Sequence, residues 1–308
     1  MKHTKIQNKS SWWLISTPHI FQAWQKVPGV LVFLGLMVLL SGCSAIFSSA
    51  TSRLADNLSY AFENQTDTAV VEDATPAYLL MMDALIKDDP DNVSLLRTAA
   101  KLNAAYADIF VKDIERSMII TNKALNLALK AACSDIKKLC GIREKNFDDF
   151  RQVINACSKA EIDAIYTLGS VWASWIQANQ KDWNAVAELP RVEAIMEQVV
   201  RLNPNHEDGG AFLYLGTLST LLPPALGGNP EKGREFFEKA IDISQGKNLY
   251  AKVLYAQRYA RIIFDKKLHD RLLKEVYDAN PNVEGYTLTN IIAQREAKLL
   301  LDSSDDYF

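Results

Sequence analysis

The sequence predicts an all-α protein of stacked helical hairpins, and three observations carry that prediction. Apolar residues recur at three- and four-residue spacing through almost every segment beyond residue 50. Helix-stopping residues cluster at intervals, in Asp89-Pro90-Asp91-Asn92, Leu202-Asn203-Pro204-Asn205, Ala279-Asn280-Pro281-Asn282 and the glycine stop Ser244-Gln245-Gly246-Lys247-Asn248. Finally, 13 Gly and 10 Pro in 308 residues are too few for an all-β chain with a turn about every ten residues.

The N-terminal stretch is read separately. Residues 1–42 hold four lysines and no acid, and residues 27–40 are an uncharged, mostly apolar run after Lys26. That run is short for a membrane span, which needs about 20 residues, and fits a signal-peptide core of about 7–15. Leu40-Ser41-Gly42-Cys43 resembles the bacterial lipobox, in which a Cys is diacylated before cleavage. An ordinary secretory cleavage site or a short anchor are the alternatives. The expected organisation is a signal peptide (1–42), a lipidated linker (43–50) and one helical domain (51–308), with lipidation at Cys43. Ser44 stands where Asp would favour inner-membrane retention, so outer-membrane anchoring facing the periplasm is expected. Without the four lysines of residues 1–42 the chain has 30 basic and 37 acidic residues, a net charge of −7. This argues against a nucleic-acid partner, which selects a basic footprint.

Between the stops lie helical hairpins at roughly 92–134, 161–204, 207–246 and 248–281, with 135–160 interrupting the period, and roughly 11–12 helices in all. The last three hairpins run slightly above the 34 residues of a tetratricopeptide repeat. Tyr166-Thr167-Leu168-Gly169 and Tyr214-Leu215-Gly216 place Leu-Gly inside a first helix, where Gly lets the second helix cross closely. An irregular helical bundle is the competing description.

Three more cysteines follow. Cys133 and Cys140 would sit about 10.5 Å apart on a continuous helix, too far for a bridge. A break around residues 134–138 allows a Cys133–Cys140 disulfide in an oxidising periplasm, leaving Cys157 as a buried thiol. No metal site or cofactor is expected, because there is no Cys-x-x-Cys and only His206 and His269 lie beyond residue 42. No enzyme is expected either: Ser134-Asp135-Ile136-Lys137 lacks the companion motifs of penicillin-binding enzymes, and no nucleophile elbow, phosphate loop or zinc-protease motif occurs. His206-Glu207-Asp208 reads as an acid-rich helix start. The final Tyr307-Phe308 reads as a solvated tail or as docked on the last helix.

Two stretches are candidate ligand or partner contacts. Trp172 and Trp175 share a helix face with Asn179 one turn on, and Trp183 and Asn184 follow within twelve positions of Trp172. They are either core between hairpins or an apolar cavity with amide contacts. The loop holding Pro223, Pro224 and Leu226 is either packed or an apolar rim, and Tyr255 and Tyr259 make an aromatic stripe with polar tips.

These residues together resemble one family. The lipobox Cys43, Ala55-Asp56-Asn57-Leu58, Pro76-Ala77-Tyr78-Leu79-Leu80, Asp89-Pro90-Asp91-Asn92, Gly169 to Ile176, Asp182 to Pro190, the Leu221 to Gly228 loop and Asp306-Tyr307-Phe308 are similar to the TRAP transporter T-component (TatT) family. The resemblance implies a periplasmic lipoprotein of cryptic tetratricopeptide-like repeats with a lumen. It also implies homotrimers, association with a TRAP-type periplasmic substrate-binding protein, and a small hydrophobic ligand. No residue role transfers beyond acylation of Cys43. The alternative function is an outer-membrane assembly lipoprotein that binds only proteins.

Overall fold

The computed structural model describes residue 53 and residues 57–221 and 228–308. Cys43, Pro223, Pro224 and Leu226 lie outside the described residues. Residues 51–308 form one compact unit, and among its described residues there is no β-strand.

A helical stretch at residues 57–63 (α1) precedes thirteen helices. They are α2 (Thr68–Asp88), α3 (Val93–Phe110), α4 (Ile114–Asp135), α5 (Phe147–Asn155), α6 (Ile162–Ala178), α7 (Trp183–Val186), α8 (Leu189–Leu202), α9 (Gly210–Ser219), α10 (Pro230–Ile243), α11 (Leu249–Tyr255), α12 (Lys266–Tyr277), α13 (Thr287–Asp302) and α14 (Ser304–Tyr307). Asp and Asn start them as anticipated. The side chains of Asp67, Asn92, Asp113, Asn146, Asp182, Asn229, Asn248 and Asp265 accept backbone N–H groups at eight N-termini. Pro190 and Pro230 occupy first-turn positions, where the missing N–H costs nothing. Pro76, by contrast, lies inside α2, which runs through it. Proline is therefore not a stop everywhere in this chain.

The two long helices of each hairpin pack on one another: α3 on α4, α6 on α8, α9 on α10, α11 on α12. Gly169 shows why α6 and α8 approach closely, since a Cβ there would lie 2.7 Å from Ile195 Cγ2 and 2.9 Å from Met196 Cε. Gly216 does the same for α9 and α10, where a Cβ would lie 2.8 Å from the Phe237 ring. Two large apolar cores result. One runs from Ala100 to Leu215 around Phe150, Leu168, Trp172 and Ile195. The other runs from Phe237 to Leu300 around Leu273, Val276 and Ala293.

The start and end of this unit meet through polar contacts. Asn64 Oδ1 accepts from the Gly285 N–H at 2.9 Å, Tyr60 donates to Glu284 at 3.2 Å, and Arg295 donates to Thr68 at 3.1 Å. The C-terminal pair packs against Phe264. Phe308 and Tyr307 stack around Phe264, with centroids 5.3 and 6.0 Å away, and Arg261 lies 4.3 Å over the Tyr307 ring.

Candidate functional site

The first helices of successive pairs share a polar, aromatic wall. On α6, the most apolar part of the first core, Tyr166, Ser170 and Ser174 recur at four-residue spacing and so share one face. Ser174 donates to Asp108 of α3 at 2.8 Å. Burial pushes the Asp108 carboxyl up to about 6, the Ser174 hydrogen bond pulling the other way. Yet Asp108 keeps much of its surface open to solvent. Asp108 also lines a cleft, so its carboxyl borders open space on one side.

The wall continues through α9 and α11. Burial raises the Tyr214 phenol, the Asp108 charge adds to the shift and the Ser170 hydroxyl offsets part of it. Burial likewise raises Tyr250, with Glu296 and Asp108 reinforcing and Arg258 opposing. Tyr166 is raised well above its ordinary value, again by burial first. Its ring meets Tyr214 edge-on at 6.3 Å and His206 at 5.0 Å. All three tyrosines are only half-buried by surface area, and their raised values keep the phenols protonated. A cleft of about 210 Å³ adjoins the wall, lined by Asp108, Lys112, Met118, Gln177, Asn179 and Asp182 among others.

Near Tyr166 the wall is bounded by strained backbone. Glu207 and Asp208 hold φ of 47° and 49°, a region costly for residues other than Gly, and Gly209 follows at 81°. Their side chains reach across to other elements rather than capping a helix: Glu207 meets Lys101 of α3 at 3.4 Å, and Asp208 accepts from Tyr286 at 2.7 Å. Burial raises the Glu63 carboxyl beside them, Lys101 lowering it and Glu207 raising it. Gly210 is required here, since a Cβ would lie 2.3 Å from the Tyr166 hydroxyl.

The tryptophans and the α11 tyrosines sit elsewhere. Trp172 is fully buried against Phe150, ring centroids 5.9 Å apart, and donates its indole N–H to Glu188 at 2.6 Å. Trp175, also buried, donates to Asn122 at 2.6 Å, with the Arg143 guanidinium 4.4 Å over its ring and 3.1 Å from Glu188. Both rings pack between helices, and neither borders the cleft. Asn179 does border it, while its amide donates to the Trp175 carbonyl at 2.8 Å at the end of α6. Trp183 is 85% exposed at the start of α7, and Asn184 beside it is exposed too. Tyr255 and Tyr259 are buried and turn toward α10, donating to Glu238 at 2.9 Å and Glu231 at 2.7 Å.

Cys133 and Cys140 form a disulfide with Cα atoms 4.4 Å apart, made possible because α4 ends at Asp135 and a short turn at Lys137–Leu139 reverses the chain. Cys157 is a free, buried thiol pushed up to about 11 by burial.

Sequence reasoning missed Asp108, Ser170, Ser174, Tyr214 and Tyr250 as a group. A usable signal was present: hydroxyl residues at four-residue spacing on an otherwise apolar helix, and a Tyr just before each Leu-Gly pair.

No described helix is long and apolar enough to cross a membrane. Among the described residues, no group of His, Cys, Asp and Glu side chains is placed to hold a metal ion. An uncharacterized protein of Treponema pallidum (strain Nichols) is 20% identical over 265 residues, covering 80% of this chain and 82% of its own. The family model described as TRAP transporter T-component matches residues 64–308. With its all-α hairpins and that match over most of its length, the chain belongs to the TRAP transporter T-component family.

Proposed function

We propose that this chain is a periplasm-facing lipoprotein, anchored in the outer membrane through Cys43, that binds a TRAP-type substrate-binding protein and assists uptake of a small, largely hydrophobic organic solute. The observation that carries this reading is the cleft of about 210 Å³ lined by Asp108, beside the helices that carry Tyr166, Tyr214 and Tyr250. A cleft with apolar and polar lining and aromatic rings on the neighbouring helices suits a small-molecule site. Stacked hairpins supply the extended surface for a protein partner. Membership in a transporter-component family supports a role in transport over catalysis. Homotrimer formation belongs to the same proposal.

The test is co-purification of the acylated chain from the native cell envelope, followed by native mass spectrometry and solvent extraction. The expected result is a complex with the substrate-binding protein and a recoverable apolar small molecule. Recovery with outer-membrane assembly proteins and no small molecule would favour the protein-only alternative and overturn this reading.

A further inference from the structure

His269 of α12 is fully buried, and its ring sits at the centre of a polar cluster that holds the end of the chain. Arg261 Nε donates to His269 Nε2 at 3.3 Å, and His269 Nδ1 lies 2.9 Å from Asp270 Oδ1. A guanidinium can only donate, so Nε2 carries the lone pair, Nδ1 carries the proton and the ring is neutral. The same Asp270 carboxylate accepts from Ser304 at 2.6 Å and from Lys266 at 2.7 Å. Arg261 also donates to Ser303 at 3.2 Å, and Lys266 reaches Ser304 and Asp305, each at 3.0 Å. Residues 303–305 are thus tied down through the two partners of one imidazole.

The ring contacts follow the same path. Phe308 meets His269 edge-on at 5.1 Å, and Arg261 covers the Tyr307 ring. Both C-terminal rings pack on Phe264, whose φ of 62° is costly for a side chain of that size. Such strain persists only where the surroundings hold it. Phe264 belongs to the turn that follows the π-helical turn Ala256–Ala260 at the end of α11. Rings 307 and 308 therefore hold a backbone that relaxes if they leave.

We propose that His269 is the catch of a pH-operated latch: a proton on its Nε2 would face the Arg261 Nε–H, break that hydrogen bond and free residues 303–308 from the turn at 261–265. The titratable groups gathered around the ring are Arg261 from that turn, Lys266 and Asp270 from α12, and Asp305 and Tyr307 from α14. Asp302 is paired with Lys298 of its own helix, and Asp306 is exposed. Burial pushes the His269 imidazole below its ordinary value; the Asp270 hydrogen bond pulls it back up, and the Arg261 charge opposes that pull. A base lowered by the fold contributes its full stability above the unfolded value of about 6.5 and loses it as pH falls. The latch is closed at neutral pH and opens on the acid side. None of these residues lines the cleft at Asp108.

Hydrogen exchange of the full chain, corrected for the intrinsic pH dependence of exchange and read at peptides covering residues 299–308 and 165–176, tests this. Protection of 299–308 should be constant from about pH 8 to about pH 7 and fall by about pH 5, approaching tenfold for each unit by which the fold lowers the imidazole. The 165–176 peptide should stay protected throughout. His269→Asn, whose amide keeps a donor for Asp270 and cannot become a cation, should remove the pH dependence. Flat protection in the wild type, parallel loss in both peptides, or the same loss in His269→Asn would overturn the latch. Should His269→Asn fail to fold, NMR titration of the wild-type imidazole decides. A His269 midpoint at or above about 6.5, or one that does not track the loss of protection, would overturn it.

Discussion

Ser174 Oγ lies 2.8 Å from Asp108 Oδ1, joining α6 to α3 through a hydroxyl and a carboxyl that burial holds near pH 6. The raised carboxyl fixes the sign of a pH effect. The folded state binds this proton more tightly than the unfolded chain does, so the stability it contributes is complete below about pH 4 and is lost as pH rises through about 6. Asp108→Asn, which mimics the protonated form, should raise the melting temperature at pH 8 and leave it unchanged near pH 4. Solvent access to Asp108 limits the gain to about 1 kcal/mol. Thermal melts at the two pH values check it, and an equal shift at both would contradict the assignment.

Trp172 and Trp183 are eleven positions apart in sequence and opposite in environment, 0% and 85% exposed. Trp172→Ala should cost about 3–5 kcal/mol in denaturant unfolding. Trp183→Ala should stay within about 0.5 kcal/mol, as exposed substitutions do. If Trp183→Ala instead weakens association with the substrate-binding protein at unchanged stability, that exposed ring is a partner contact.

The disulfide between Cys133 and Cys140 closes a short loop after α4. Chain-entropy arguments assign such a small loop about 2 kcal/mol. Cys133→Ser with Cys140→Ser should therefore lower the melting temperature by several degrees, and reductant should lower the wild type and not the double variant. A melting curve insensitive to reductant in both proteins would show that the bridge contributes nothing.

On the proposed anchoring through acyl chains at Cys43, Cys43→Ser should yield a folded helical body that fractionates away from membranes. Fractionation and circular dichroism of the same preparation give the answer. Retention of the variant in the membrane pellet would contradict anchoring by lipid alone.

The hairpin boundaries were readable because Asn, Asp, Gly and Pro act locally. Asn229 and Asp265 cap the helices that follow them, and Gly169 and Gly216 mark close crossings. The wall was not readable in the same way. Asp108 and Tyr214 come from helices a hundred residues apart, and no local pattern states that the Asp108 charge acts on the Tyr214 phenol. Tyr255 and Tyr259 illustrate the same difficulty: four-residue spacing puts both on one helix face without saying which face turns inward, and theirs turns to α10. The π-helical turn at Ala256–Ala260 has no sequence signature, since its residues are ordinary helix formers.

The join between the first and last helices has a consequence for how this body responds to its surroundings. No residue of the second core comes from residues 57–110, and the recorded links of Tyr60, Asn64 and Thr68 to Glu284, Gly285 and Arg295 are hydrogen bonds. These links are polar and exposed or only part-buried, so this clasp should yield sooner than the buried crossings. Amide protons along it should exchange ahead of those in α6 or α12.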